Sequence, residues 1–390
     1  MKKKGPLTPG RNLIWFSWKL VITFSLALCI FALIRLHSSS RTNLASASLS
    51  RRLRPPPGSF LGRPKIAFLF LTRRNLPLDF LWGSFFQNGD VANFSIYIHS
   101  APGFVFDEST TRSHFFFGRQ LENSIQVDWG KSSMIAAERL LLEAALEDTA
   151  NQRFVLLSDR CFGITTATFL AFHYTTLAIY IAISWLLPGV LWTGRWRALI
   201  LSFLDAKEGR YNPKMSPAIT KGKWRKGSQW ISLIRSHAEV IVDDDIIFPV
   251  FGLFCKRRPP VDASIGNMNI KLQKQHNCIP DEHYVQTLLA LNELEGELER
   301  RTLTYTLWNQ STNNMENKGW HPITFNYAEA GPRQIEEIKG INHVYYETEF
   351  RTEWCRNNST FVPCFLFARK FSQGAAMRLL SEGVASDFDA

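Results

Sequence analysis

Acidic residues are missing from the first sixty positions of this chain. Ten basic residues fall there, Lys2, Lys3, Lys4, Arg11, Lys19, Arg35, Arg41, Arg51, Arg52 and Arg54, against a formal net charge of +11 for all 390 residues. Subtracting that +10 leaves +1, so everything after Phe60 is nearly neutral. A nucleic-acid-binding domain carries its basic residues on a folded face, so this distribution argues against a nucleic acid partner and reads as an address. Linker-like sequence is also missing from 61–390, which is long enough for one large domain or two small ones. A third absence is local, since Phe162 to Gly194 contains no Lys, Arg, Asp or Glu.

Within the basic tail, Asn12 to Ile34 is apolar apart from Lys19, and Leu20 to Ile34 carries no charge. Roughly 20 apolar residues suffice to span a bilayer as a helix, so residues 12–36 are expected to be a signal-anchor transmembrane helix. Residues 1–11 then form a cytosolic tail and 37–60 a stem, rich in Ser, Arg and Pro from Arg41 to Pro57. A cleaved signal peptide is the alternative, with Ala45 to Ser48 as the cleavage region. Basic residues flank both sides of the span, so the positive-inside rule orients it only weakly.

Beyond the anchor and its Cys29 lie Cys161, Cys255, Cys278, Cys355 and Cys364, and sequons at Asn93, Asn309, Asn357 and Asn358. With an anchor, these glycosylation sites fit a secretory lumen. Cys355 and Cys364 bracket a short loop and are candidates to pair in that oxidising space; one cysteine is left over.

Lys65 to Leu71, Phe94 to His99 and Phe154 to Ser158 are short apolar runs, and Ser132 to Leu146 has helical spacing before the third. Strands alternating with helices predict a largely parallel α/β sheet flanked by helices. Ligands bind such sheets off the carboxyl ends of strands, which directs attention to Thr72, Arg73, Ser100 and Ser158 to Cys161, although each alone reads equally as an ordinary strand-end loop. The stretch Cys278 to Leu289 sets Pro280, Asp281 and Glu282 before an apolar pattern of Val285, Leu288 and Leu289, the local signature of a helix start. Asp281 and Glu282 there serve the helix dipole, chemistry, or both.

Taken together, the blocks KIAFLFLTR, FSIYIHSAPG, VDWGKSSMIAAERLLLEAAL, FVLLSDRCF, SFLDAKEGRYNPKM, KWRKGSQWISL, CIPDEHYVQTLL, GWHPITF and CFLFARKF resemble the plant branch of the core-2/I-branching β-1,6-N-acetylglucosaminyltransferase-like family. The resemblance implies a GT-A-like lumenal domain over 61–390 of a single-pass type II Golgi membrane protein. It also implies a UDP-sugar donor, a glycan or glycoprotein acceptor and no metal cofactor. Glu282 matches the family's general base, a group the chemistry requires because the acceptor hydroxyl must lose its proton as it attacks the sugar C1. Lys370 matches a basic contact to the departing diphosphate. The second such contact falls on Phe361, leaving Arg356 or Arg369 as substitutes. Trp308 matches a tryptophan at the acceptor sugar, with a core aromatic as its alternative reading. Thr72 and Ser100 match the nucleotide-facing region. Asp243 to Asp245 invites a metal-binding reading but is expected to be a solvated turn. A non-catalytic glycan-binding or scaffold protein on a decayed transferase fold is the alternative to an enzyme.

Family likeness stops at Phe162 and resumes at Ser202. Three readings compete for the uncharged segment between: a second membrane span, which would divide Thr72 and Ser100 from Glu282 and Lys370; a buried helix ended by Pro188 and Gly189; or translated intron.

Overall fold

The run KIAFLFL buries six of its seven residues and forms β1 (Lys65–Leu71). A strand apolar on both faces needs cover on both, as parallel sheets have. Two parallel neighbours flank it, β2 (Phe94–His99) and β3 (Asn151–Ser158), with Leu71 opposite both His99 and Ser158, so three carboxyl ends lie on one edge. The structure, a computed structural model, describes residues 60, 62–164, 197–207, 209–257, 277–308, 322–357 and 360–384. They fall within one unit, Pro55–Ala390. The expected anchor and stem, Asn309 and Asn358 lie outside the described residues. Among the described residues no helix is long and apolar enough to cross a membrane.

The remaining strands are β4 (Cys161–Gly163), β5 (Ala198–Leu199), β6 (Ser202–Leu204), β7 (Arg225–Gly227), β8 (Ser232–Ile234), β9 (Leu298–Glu299), β10 (Thr304–Thr306), β11 (His343–Tyr346), β12 (Arg351–Trp354), β13 (Arg356–Asn357), β14 (Thr360–Phe361) and β15 (Phe367–Arg369). The helices are α1 (Asp79–Gln87), α2 (Ser133–Leu146), α3 (Arg235–Val242), α4 (Ile247–Phe254), α5 (Pro280–Leu291), α6 (Pro332–Lys339) and α7 (Gln373–Ser381). The central sheet runs β2-β1-β3-β8-β5-β9, and a smaller one β10-β15-β4. Pairings of β1 with β2 and β3, and of β5 with β9, are parallel, whereas β8 runs antiparallel to β3 and β5. The expected largely parallel α/β sheet is therefore present, with a mixed far half.

Alternate residues of β1 point to opposite faces and seed two cores. Phe68 and Phe70 join Leu81, Trp82, Phe85 and Phe86 of α1. Ala67 and Leu69 join Ile135, Leu141 and Leu142 of α2 and Val285, Leu288 and Leu289 of α5. The first core is built of edge-on ring pairs such as Phe70 and Trp82, 5.0 Å apart at 87°, an arrangement that adds to the gain from burial.

Residues 165–196 of the uncharged segment lie outside the described residues, but its flanks are strands. Before it, β3 pairs with β8 and β4 with β15, both of which follow it. The three competing readings of this segment fall outside the described residues.

Candidate active site

The first turn of α5 presents Asp281 and Glu282, with Pro280 as its first residue and no side-chain cap. Glu282 Oε2 forms an ion pair with Lys226 Nζ from β7, the two side chains being 23% and 18% exposed. Strand β7 is held along α5: Arg225 N donates to Thr287 Oγ1 at 3.0 Å and Gln286 Nε2 to Ser228 O at 2.8 Å. Gly227 lies so close that a Cβ would fall 1.6 Å from Leu201 O.

Behind Glu282 the helix start is buried and acidic. Burial, then the charge of Glu282, raises Asp281 to about 7, and its Oδ1 has no hydrogen-bond partner among the described residues. Glu138 of α2 is raised well above the usual carboxylate range by burial and then by Asp281, although Gln229 Nε2 donates to it at 2.8 Å. Arg257 feels Asp281 and Glu282 and lies 3.4 Å from the centroid of the half-exposed Trp129.

His283 anchors the same turn. Its Nδ1 donates to Ile279 O at 2.7 Å, its Nε2 is 3.0 Å from Asp205 Oδ2, and its ring stacks on Trp224 at 4.6 Å. Burial pushes the imidazole below its usual value while the bond to Asp205 acts the other way. Burial alone would raise Asp205, but His283 and Arg210 hold it low.

A second group lies at the strand ends. Arg73 follows β1, Asp159 and Arg160 follow β3, and Lys370 follows β15. Burial, then the like charges of Arg369, Arg73 and Arg160, push Lys370 below the usual lysine range, with Asp159 opposing. Burial raises Asp159, which these four cations counter. Phe371 N donates to Arg160 O at 3.2 Å, tying the two loops together. Arg369 places its guanidinium 4.4 Å from the Trp230 ring centroid, and its buried Nε has no partner among the described residues. Four cations around one carboxylate leave a net positive charge there, a setting that favours an anion.

The expected site residues fare differently. Thr72 and Ser100 sit at the predicted strand ends, but both hydroxyls turn inward, Thr72 donating to His99 O at 3.1 Å and Ser100 to Arg74 O. Trp308 is 49% exposed and follows β10, whose Thr306 pairs with Arg369, so it emerges at the same end of the small sheet as Lys370. Arg356 lies 4.6 Å from the ring centroid of the exposed Phe361; the strongest charges on Lys370 come from Arg369, Arg73, Arg160 and Asp159 instead.

The expected solvated turn at Asp243 to Asp245 is corrected. Asp244 is 2% exposed, and its carboxylate accepts from the backbone N–H groups of Ile246, Ile247 and Phe248 and from Tyr284 Oη. Its oxygens are occupied in capping α4, so they do not suit a metal. Among the described residues no cluster of His, Cys, Asp or Glu suits one.

Cys355 and Cys364 form a disulfide, and a second joins Cys255 to Cys278. Among the described residues Cys161 is a buried free thiol, pushed up to about 12 by burial. Asn93 is half-buried at the entry to β2, and Asn357 lies in β13.

Sequence reasoning missed Lys226 and Glu138 and saw Arg73, Asp159 and Arg160 only as strand-end positions. The block KWRKGSQWISL held Lys226, but nothing local links it to a carboxylate 56 residues away.

The fold thus combines a central α/β sheet, a cation cluster at the ends of β1, β3 and β15, and a carboxylate at the start of α5. Residues 66–339 match the profile of the core-2/I-branching enzyme. The chain is also 46% identical over 336 residues to Glycosyltransferase BC10 of Oryza sativa subsp. japonica, covering 83% of this chain and 77% of that protein. The chain belongs to the core-2/I-branching enzyme family and is a glycosyltransferase.

Proposed function

We propose that this glycosyltransferase is a type II protein of the Golgi membrane, anchored by residues 12–36, that transfers N-acetylglucosamine with inversion from a UDP donor to a glycan hydroxyl. The acceptor oxygen attacks C1 in line, its proton passes to the Glu282 carboxylate, and the C1–O bond breaks with its electron pair leaving on the diphosphate. Arg73, Arg160, Arg369 and Lys370 receive that charge, in the role a metal ion plays elsewhere. Trp308 offers an exposed aromatic face to the acceptor pyranose.

The observation that carries this reading is the convergence of Arg73, Arg160, Arg369 and Lys370 at the carboxyl ends of β1, β3 and β15. A screen of the full-length protein against UDP-sugars and glycan acceptors, with and without chelator, tests it. UDP-N-acetylglucosamine is expected to be turned over equally in both conditions. A folded protein that binds no UDP-sugar would favour the non-catalytic glycan-binding alternative, and activity lost in chelator would refute the cation-only clamp.

A further inference from the structure

Five residues connect the carboxylate site to the cation cluster. Lys226 pairs with Glu282, Ser228 accepts from Gln286 of α5, Gln229 donates to Glu138, and Trp230 lies beneath the Arg369 guanidinium. Thr302 Oγ1 donates to Trp230 O at 3.0 Å, fixing the far end beside β10. Four residue steps reach at most about 14 Å when fully extended. The segment is therefore short and bonded at both ends and in the middle. It also has no lateral freedom at Gly227, where a Cβ would overlap Leu201 O.

We propose that Lys226 to Trp230 is a positioning strap that fixes the distance between the base and the diphosphate clamp, with Lys226 orienting the Glu282 carboxylate and Trp230 orienting Arg369. This rests on the roles given to Glu282 and to the cation cluster above. Lys226 occupies Oε2 of Glu282 and so leaves Oε1 to meet the acceptor hydroxyl. Arg257 and Asp281 also feel the charge of this carboxylate, and Glu138 in turn feels Asp281. Arg369 is half-buried, and its buried Nε has no partner among the described residues, so the Trp230 face is what sets its plane.

The two ends of the strap should fail differently. In the full-length protein, Lys226→Met is expected to lower kcat about 100-fold, the usual cost of a misplaced general base, with UDP affinity changed less than about twofold. Lys226→Arg, which keeps the ion pair, should recover at least about tenfold of that loss. Trp230→Leu should weaken UDP binding about tenfold, the scale of a desolvated cation–π contact, and lower kcat less than about threefold. Because Lys226→Met leaves Glu282 without its partner and threatens the local fold, the cycle is closed in a Glu282→Gln background, where Lys226→Met should cost nothing further in kcat. Wild-type kcat in Lys226→Met, equal losses in the Met and Arg variants, or additive losses in the double variant would overturn the strap. Full activity in Glu282→Gln would instead overturn the assignment of the base.

Discussion

Removing the Asp244 carboxylate separates a helix cap from a metal ligand. Its Oδ1 accepts from Ile246 N at 3.0 Å and Ile247 N at 2.8 Å, while Oδ2 accepts from Phe248 N and Tyr284 Oη, each at 2.8 Å. Arg139 Nη1 stands 3.9 Å from the same oxygen. Loss of a helix cap costs about 1 kcal/mol, and leaving the buried Tyr284 hydroxyl without its carboxylate acceptor costs roughly 1–3 kcal/mol more, whereas Arg139 keeps its bonds to the Asp244 and Val242 carbonyls. Asp244→Ala should therefore destabilise the fold by about 2–4 kcal/mol, lowering Tm by roughly 5–10 °C in a domain of this size. Asp244→Asn keeps one acceptor oxygen and should lose about half as much. Differential scanning fluorimetry with and without chelator reads both effects. Chelator should leave the Tm of the parent unmoved. A Tm drop in chelator that Asp244→Ala abolishes would refute the cap and restore the metal reading.

Two further outcomes follow from buried groups. Asp281 is raised to about 7, so the folded chain holds a proton that the unfolded chain releases near pH 4. This contribution is full below the unfolded value and is lost as pH rises to about 7, by up to about 1.4 kcal/mol per unit. Urea denaturation at pH 5 and 7 should show a fall in stability that is smaller in Asp281→Asn by on the order of 2 kcal/mol, and equal slopes would contradict the burial argument. The Cys255–Cys278 disulfide spans 23 residues and ends two positions before Pro280. Replacing both cysteines by Ala should cost about 3 kcal/mol through the closed loop alone. It should also lower turnover by loosening the first turn of α5, so an unchanged Tm and kcat would count against that linkage.

Local physics made the parallel half of the fold legible. The runs at Lys65, Phe94 and Phe154 are long and apolar enough to be read as strands, and they appear as β1, β2 and β3. The helix starts at Ser133 and Pro280 follow from spacing and from proline in the same way. The mixed half was not legible, because β5 and β8 are two and three residues long and acquire their identity from neighbours rather than from pattern. The site divides along the same line. Glu282 stands at a recognisable helix start, whereas its ion pair with Lys226 and the gathering of Arg73, Arg160 and Arg369 around Lys370 exist only after the chain has folded. Asp243 to Asp245 misled for the opposite reason: three acids in a row look solvated, yet the middle one caps a helix that begins three residues later. Dipole and chemistry need not compete at α5, since one turn holds a buried Asp281 and a half-exposed Glu282.

The most direct test is Glu282→Gln in the full-length protein, with turnover of UDP-N-acetylglucosamine and binding of UDP measured on one preparation. Gln keeps the size of the side chain but cannot take the acceptor proton. Turnover is expected to fall by at least about 100-fold, with UDP affinity within about twofold of the parent. Turnover at the parent rate, with UDP still bound, would contradict the assignment of Glu282 as the base.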